Sequence, residues 1–416
     1  MIGRAGAHCR SAALRTRYVL CAFPRVAFGL FRMNIAYVTG DDPHNLKSWS
    51  GLSHYIAESL KPHGANIHYL GSLESVDSPG IRLKRKFWGL LGQQILEGRE
   101  PSIVRSWGRQ VTRKLKGLNA DLILATHTEL LSEFESDLPI AYWSDSNFGC
   151  MLDVYPYFKR LNPFAIRRGH DYERRALQRA DLVIYACDWA RDAAIRLYGA
   201  NPDKVKVVPF GANIQCERTS AEVEQLIAAR PKDRCNLLFL GKVWARKGGD
   251  TAVAVAEALN QSGLPTTLTL IGSQPPTDRP LPAFVRKTGF IDKSDPAGRR
   301  QFNELVAGSH FLILPSRAEA FGIVFCEAAS FGVPSLATQV GGIPTAVRDG
   351  RNGQTFSLDA PPSDFAAFVR RQFSNYADYV ALARSAFLEY ETRLNWRVSG
   401  ERAMEHLSAA LTKRIG

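Results

Sequence analysis

The sequence predicts an α/β chain built on two doubly wound parallel sheets. Three observations lead there: short apolar runs recur along the chain, helical stretches separate them, and the whole pattern occurs twice. Continuous rather than alternating apolarity is what a strand covered on both faces requires. The strand–loop–helix alternation is that of a parallel sheet with covering helices.

The first set of strands is read at 35–39, 66–70, 122–125, 140–143, 182–186 and 205–208, with helices at 51–61 and 170–180 among them. It ends around Pro209-Phe210-Gly211. A charged, Ala/Glu-rich helix at 220–230 leads into a second set of strands at 236–240, 267–271, 284–288, 310–314 and 334–337. The closing stretch, 378–411, is helical by pattern and places Trp396 and Leu407 on packing faces. Ligands of such sheets bind beyond the carboxyl ends of the strands. Two domains facing each other therefore share one cleft.

With 416 residues, 45% of them hydrophobic, the chain is long enough for two buried cores. Glycine and proline usage is ordinary, which excludes collagen-like and low-complexity classes. No run of 18 apolar residues occurs, which argues against a spanning helix. The seven cysteines are scattered and form no Cys-x-x-Cys pair, against both a disulfide framework and a zinc site. A reducing cytoplasm is the expected location.

The formal charge of +13 is unevenly spread. Residues 1–32 hold Arg4, Arg10, Arg15, Arg17, Arg25 and Arg32 and no acidic residue. Two readings stand: a targeting leader or basic arm, or a mis-assigned start preceding Met33, where the first strand opens. Pro24 and Arg25 interrupt the apolar stretch there and make a poor signal-peptide core. The expected organisation is thus 1–32 as a leader or mis-assigned start, 33–211 as the first domain, 212–385 as the second, and 386–416 as a terminal helical segment.

The most informative segment follows the strand at 310–314. It runs Pro315-Ser316-Arg317-Ala318-Glu319-Ala320-Phe321-Gly322-Ile323-Val324-Phe325-Cys326-Glu327. Glu319 lies in the loop, Phe321-Gly322 opens a helix, and Glu327 follows about two turns on. Glycine at 322 lets a ligand approach the backbone, and the first helical amides are free to donate. A carboxylate at each end suits sugar hydroxyls. Read singly, Glu319 is equally an ordinary loop carboxylate and Glu327 a solvated helix position, but the apolar run 323–325 makes exposure less natural. A second segment, Gly241-Lys242-Val243-Trp244-Ala245-Arg246-Lys247-Gly248, places cations at the carboxyl end of the second domain's first strand. There charge-assisted hydrogen bonds would hold a diphosphate.

Together these segments resemble the retaining, two-domain GT-B enzymes of glycosyltransferase family 4. That family carries a Gly-Arg…Lys-Gly loop and a Glu-x7-Glu motif at these relative places. Here they read Gly241-Lys242…Lys247-Gly248 and Glu319…Glu327. Val208-Pro209-Phe210-Gly211-Ala212-Asn213, Gly341-Gly342-Ile343-Pro344 and Asp349-Gly350-Arg351-Asn352-Gly353 extend the likeness over roughly 33–410.

The resemblance implies two Rossmann-like domains facing across a cleft, with the C-terminal helix crossing back to the first. It further implies that Lys242 and Lys247 grip a donor diphosphate, Glu327 binds the ribose and Glu319 the transferred sugar. The amides around Phe321, Gly322 and Ile323 would support sugar and phosphates. Lys242 stands where arginine is usual, so charge is kept and the bidentate fork lost. Gly51, after the first strand, would let backbone approach the donor phosphate; a plain strand-to-helix turn is the other reading. Asp145 stands where the family often has a histidine. It either orients an acceptor hydroxyl and takes its proton or caps the next helix. His127 is a further cleft candidate.

The expected activity is transfer of a hexose-type sugar from a nucleotide-diphosphate donor to a hydroxyl of a glycan or lipid-linked acceptor, with retention. No Asp-x-Asp site of the right form is present, since Asp41-Asp42 and Asp292…Asp295 are misplaced; no metal or other cofactor is expected. Rival readings are another GT-B enzyme, an epimerase or phosphorylase, and a polyanion-binding protein suggested by the pI of about 9.5. No nucleic-acid partner is expected, because no aromatic-basic recognition motif stands out. The region 82–116 interleaves ten cations with Phe87, Trp88, Leu90 and Leu91. It reads either as a peripheral contact with the inner face of a membrane or as a solvated helix face over a core.

Overall fold

The computed structural model describes residues 32–415, apart from 76, 215–217 and 278–279. The leader or mis-assigned start expected over 1–32 therefore lies, but for Arg32, outside the described residues. The first sheet holds β1 (Met33–Val38), β2 (Ala65–Tyr69), β3 (Leu122–Ala125), β4 (Ile140–Ser144), β5 (Leu182–Tyr185) and β6 (Val205–Val207). Its helices are α1 (Leu52–Leu60), α2 (Pro79–Leu90), α3 (Pro101–Leu115), α4 (Phe148–Val154), α5 (Pro163–Arg179) and α6 (Asp188–Tyr198).

After α7 (Ser220–Ala229) the second sheet holds β7 (Cys235–Leu240), β8 (Thr266–Ile271), β9 (Val285–Gly289), β10 (Phe311–Leu314), β11 (Ser335–Thr338) and β12 (Gly353–Phe356). Its helices are α8 (Trp244–Lys247), α9 (Gly249–Gln261), α10 (Pro296–Ala307), α11 (Ile323–Ala329), α12 (Ile343–Ala346) and α13 (Pro362–Ser374). The chain ends in α14 (Tyr376–Thr392) and α15 (Trp396–Ile415).

Both sheets are wholly parallel, in the orders β2-β1-β3-β4-β5-β6 and β12-β11-β10-β7-β8-β9. The inner strands are covered on both faces, β3, β4, β5, β10 and β11 being buried throughout, while the edge strands β2 and β9 carry exposed positions. The order of connection reverses between β1 and β3 in the first sheet and between β7 and β10 in the second. At such switch points the loops part and leave a crevice. Helix starts carry the expected chemistry. Asn162 caps α5 through Ala165 N with Pro163 following, and Thr219 and Glu222 form a capping box on α7.

Phe210, in the linker, joins the two halves. Its ring centroid lies 5.9 Å from Trp143, 5.6 Å from Phe321 and 5.4 Å from Trp396. The boundary expected at 385/386 falls inside α14. The chain instead turns at 393–395, where Arg393 Nη1 donates to Thr345 O (2.6 Å) and Asn395 Oδ1 accepts from Val398 N (3.0 Å). Helical periodicity runs across this break, so the pattern alone read 378–411 as one stretch. Helix α15 then crosses onto α1. A Cβ at Gly400 would meet Ser59 O at 1.9 Å, and Tyr55 stacks on Trp396 with centroids 6.0 Å apart.

Candidate active site

The loops after β1, β3 and β4 and those after β7, β9 and β10 surround a single cavity of about 890 Å³. Both switch points open into it. Glu319, Glu327, Lys242, Lys247, Phe321, Gly322, Ile323 and Asp145 all line it.

On the second-sheet side the geometry depends on glycine. Helix α8 ends at Gly248, whose φ is +77°, and a Cβ there would fall 2.1 Å from Pro315 O. Only glycine lets the β7 loop lie this close to the β10 loop. That approach carries the Lys247 ammonium onto the Glu319 carboxylate as a buried ion pair. Arg246 joins them: its backbone accepts from Arg317 N (2.7 Å), its guanidinium donates to Ala318 O (2.8 Å), and Nη1 lies 4.0 Å from Glu319 Oε2. Lys242 sits apart, exposed, with its ammonium 5.3 Å from the Phe290 ring centroid. Both lysines line the cavity; Lys247 lies on Glu319 and Lys242 beside Phe290, and Arg246 is the second cation beside Glu319.

The Glu319 loop is held from behind. Gly342 N donates to Glu319 O (3.2 Å), and the Phe321 ring is buried against Phe210, which anchors the loop and leaves Gly322 and Ile323 on the cavity wall. Glu327 is buried on α11, which rules out the solvated position. Its carboxylate pairs with the Lys293 ammonium. Burial raises its pKa, and Lys293 opposes the rise. Lys293 also donates to Asn213 O (3.3 Å), tying the β9 loop to the linker.

On the first-sheet side, Trp49 and Ser50 have φ of +43° and +56°, followed by Gly51 at +82°. Three consecutive left-handed residues make a strained turn. It is held by Asn213 Nδ2 donating to Ser50 O (2.7 Å) and by the Trp49 ring, 5.0 Å from His127. Gly51 is buried in the turn, against Leu46 O and the Tyr55 ring, while Trp49 and Ser50 line the cavity. Its lack of a side chain shapes the turn rather than the cavity wall.

Asp145 is half-buried beyond β4. The cap of α4 is Asn147, whose Oδ1 accepts from Cys150 N (3.1 Å), so capping does not occupy Asp145. Burial raises the Asp145 pKa, opposed by the Ser146 hydroxyl (3.1 Å), the nearby His127 and the Trp49 indole. Tyr155, at the end of α4, lies close to both Glu319 and Asp145. Burial and those two carboxylates raise its pKa, and the Arg246 guanidinium stands 5.5 Å from its ring.

Sequence reasoning missed Tyr155, Lys293 and Arg99. Arg99 is half-buried between Glu129 (3.2 Å) and Glu173 (3.3 Å), 4.6 Å over the Phe148 ring. Lys293 had a usable signal, since it follows a strand at the same end of the sheet as Lys242. Tyr155 and Arg99 had none. The aspartates near Lys293 have turn duties: Asp292 accepts from Ser294 N (2.9 Å) and Asp295 caps α10 through Gly298 N (2.9 Å). Among the described residues, no group of three or more His, Cys, Asp or Glu side chains is placed to hold a metal ion.

The family model described as "Glycosyl transferases group 1" matches residues 234–375, and that described as "Glycosyltransferase Family 4" matches 53–215. Together they take in well over half of the chain. A D-inositol 3-phosphate glycosyltransferase of Acidothermus cellulolyticus is 34% identical over 200 residues, 43% of this chain and 44% of that protein. One of Streptomyces scabiei is 30% identical over 253 residues, 58% and 56% of the two chains. The chain thus spans about half the length of the curated relatives it matches.

Among solved structures, sucrose-phosphate synthase from Thermosynechococcus elongatus has a TM-score of 0.66 at 17% identity, covering 92% of this chain and 100% of that one. WaaG, a glycosyltransferase involved in lipopolysaccharide biosynthesis, has 0.59 at 17%, covering 89% and 98%. Anabaena Alr3699/HepE in complex with UDP-glucose has 0.60 at 17%, covering 91% and 100%. These likenesses speak to the fold, which is the two-domain GT-B arrangement of α/β sheets. With both halves of the sequence matched in order and the Glu319–Lys247 pair at the cavity they enclose, the chain belongs to glycosyltransferase family 4.

Proposed function

We propose that the protein is a retaining, metal-independent glycosyltransferase that moves a hexose-type sugar from a nucleotide-diphosphate donor to a hydroxyl of a glycan or lipid-linked acceptor. The observation that carries this reading is the convergence of Lys247, Arg246, Glu319 and Glu327 on one cavity. Cations and carboxylates in that arrangement suit a ligand with an anionic middle and hydroxylated ends. Support also comes from the Anabaena neighbour, which was solved with UDP-glucose.

In this reading Lys247, Arg246 and Lys242 hold the diphosphate, Glu327 the ribose and Glu319 the sugar. The acceptor oxygen bonds to the anomeric carbon on the face from which the diphosphate departs, and the bond to the diphosphate oxygen breaks. The acceptor's proton passes to the departing oxygen or to Asp145. Positioning and electrostatic stabilisation of the leaving group supply the acceleration.

The test is a thermal-shift screen with UDP-, GDP- and ADP-sugars, followed by product analysis of the stabilising donor with and without chelator. One donor class should raise the melting temperature by mass action, turnover should persist in chelator, and the product's anomeric configuration should match the donor's. Inversion, or dependence on added magnesium or manganese, overturns the mechanism. Conversion of donor without acceptor, or with phosphate as acceptor, points instead to an epimerase or phosphorylase.

A further inference from the structure

Helix α2 carries two opposed apolar faces, only one of which the protein covers. Inward, Ile81 is buried with Ile95 and Ile103, and Trp88 packs on that small cluster. Outward, Leu83, Phe87 and Leu90 recur at helical spacing and are 69%, 54% and 80% exposed, and Leu91 continues the stripe at 59%. Four large apolar side chains side by side in water differ from the scattered single exposures of an ordinary surface.

The charges around the stripe select among occupants. Helix α2 has four cations and no acid. Lys84 and Arg85 turn to Glu100 (2.8 Å) and Glu97 (2.7 Å). Arg82 flanks the stripe with only a distant partner in Asp77 (3.8 Å), and Lys86 flanks it with no ion pair among the described residues. An apolar stripe edged by unspent cations fits the boundary between acyl chains and anionic headgroups. The covered side of α2 leads on toward the cavity. The Trp88 ring lies 6.0 Å from that of exposed Phe164, and the segment after α2 is clamped by Gln94 N donating to Arg160 O (2.8 Å). Leu96 and Phe158, immediately beyond, line the cavity wall on the Asp145 side.

We propose that the outer face of α2 docks the protein on an anionic membrane surface, with Leu83, Phe87, Leu90 and Leu91 inserted between headgroups and Arg82 and Lys86 against lipid phosphates. Among the described residues no helix is long and apolar enough to cross a membrane, so this contact is peripheral. It is independent of the sugar-transfer reading, since it concerns the surface and not the chemistry.

Vesicle flotation of the full chain tests it, using phosphatidylcholine alone or mixed with phosphatidylglycerol. The wild type should bind the mixed vesicles and much less the neutral ones. The variant Leu83→Ser/Phe87→Ser/Leu90→Ser should lose at least about tenfold in partitioning with an unchanged melting temperature. Arg82→Gln/Lys86→Gln should weaken binding to mixed vesicles only. Failure of the wild type to bind mixed vesicles overturns the proposal. So does undiminished binding by the triple serine variant, which would put the attraction elsewhere in the chain. Concentration-dependent self-association abolished by the same three substitutions would assign the face to a second copy and likewise overturn it.

Discussion

Lys247 and Glu319, 72 residues apart in the chain, form a buried ion pair where the loops after β7 and β10 meet. Neither charge is stable there without the other, because a lone buried charge has lost its water and gained nothing in return. Lys247→Ala is therefore expected to cost about 3–5 kcal/mol of folding stability and to lower kcat/KM by about a hundredfold or more. The double variant Lys247→Ala/Glu319→Ala should be less destabilised than the sum of the single ones. Chemical denaturation of all four proteins reads the coupling; additive losses would show that the pair does not act as a unit.

Asp145 gives a pH signature. Burial raises its pKa above the ordinary 3.8, and an acceptor-activating carboxylate must be ionised. The rate should fall on the acid side along a limb lying above that ordinary value. Asp145→Asn should lower kcat at least about tenfold and remove the limb while leaving donor affinity within a factor of about two, measured as kcat and KM profiles against pH. An acid limb that survives in the asparagine variant assigns the proton to another group.

Gly341 has φ of +54°, and a Cβ there would fall 1.9 Å from Glu319 O. Alanine must both hold a left-handed backbone and displace the loop that carries Glu319. Gly341→Ala is expected to cost about 1–3 kcal/mol and to reduce kcat/KM more than tenfold, as a misplaced positioning group does. A Glu319 loop that tolerates alanine with full activity would show that its position is not set from behind.

What the sequence made legible follows from what is local. Every strand but β12 was located, most of them by apolar runs; β9, with Arg286 and Lys287 in its middle, is the exception among those found, and β12 is four residues long and begins at Gly353. Glu319, Glu327 and Lys247 were legible because each lies shortly after a strand, Glu319 in the loop and the other two on the short helices that follow, with Gly322 and Gly248 constraining the turns beside them. Their ion partners were legible only in part: Lys247 finds Glu319, but Lys293, the partner of Glu327, comes from a different strand's loop, and spacing along the chain does not encode that meeting. Tyr155 and Arg99 reach the cavity through packing of α4 and of the segment before α3, which periodicity does not report. The strain at Trp49 and Ser50 was equally invisible, because neither residue type announces a left-handed backbone.

His310, the residue before β10, ties stability to pH. Its Nδ1 accepts from Asn236 N (3.0 Å) and its Nε2 donates to Pro231 O (2.8 Å), a pattern that fits only the neutral ring. Burial lowers its pKa from 6.5 to about 4, aided by the Arg230 cation and opposed by the bond to Pro231 O. Between those values the unfolded chain binds a proton that the folded protein refuses. The contribution is thus fully present above pH 6.5, declines by about 1.4 kcal/mol per unit as the pH falls, and levels off below about 4. The total is about 3 kcal/mol. The raised carboxyl groups of Glu173 and Glu327 act in the opposite sense, since they gain protons on folding. The difference between wild type and His310→Gln therefore isolates the histidine. Urea denaturation at pH 7, 5.5 and 4.5 should show the wild type losing its margin over the glutamine variant as the pH falls. Parallel pH dependence in the two proteins would mean that the ring already carries its proton in the folded state.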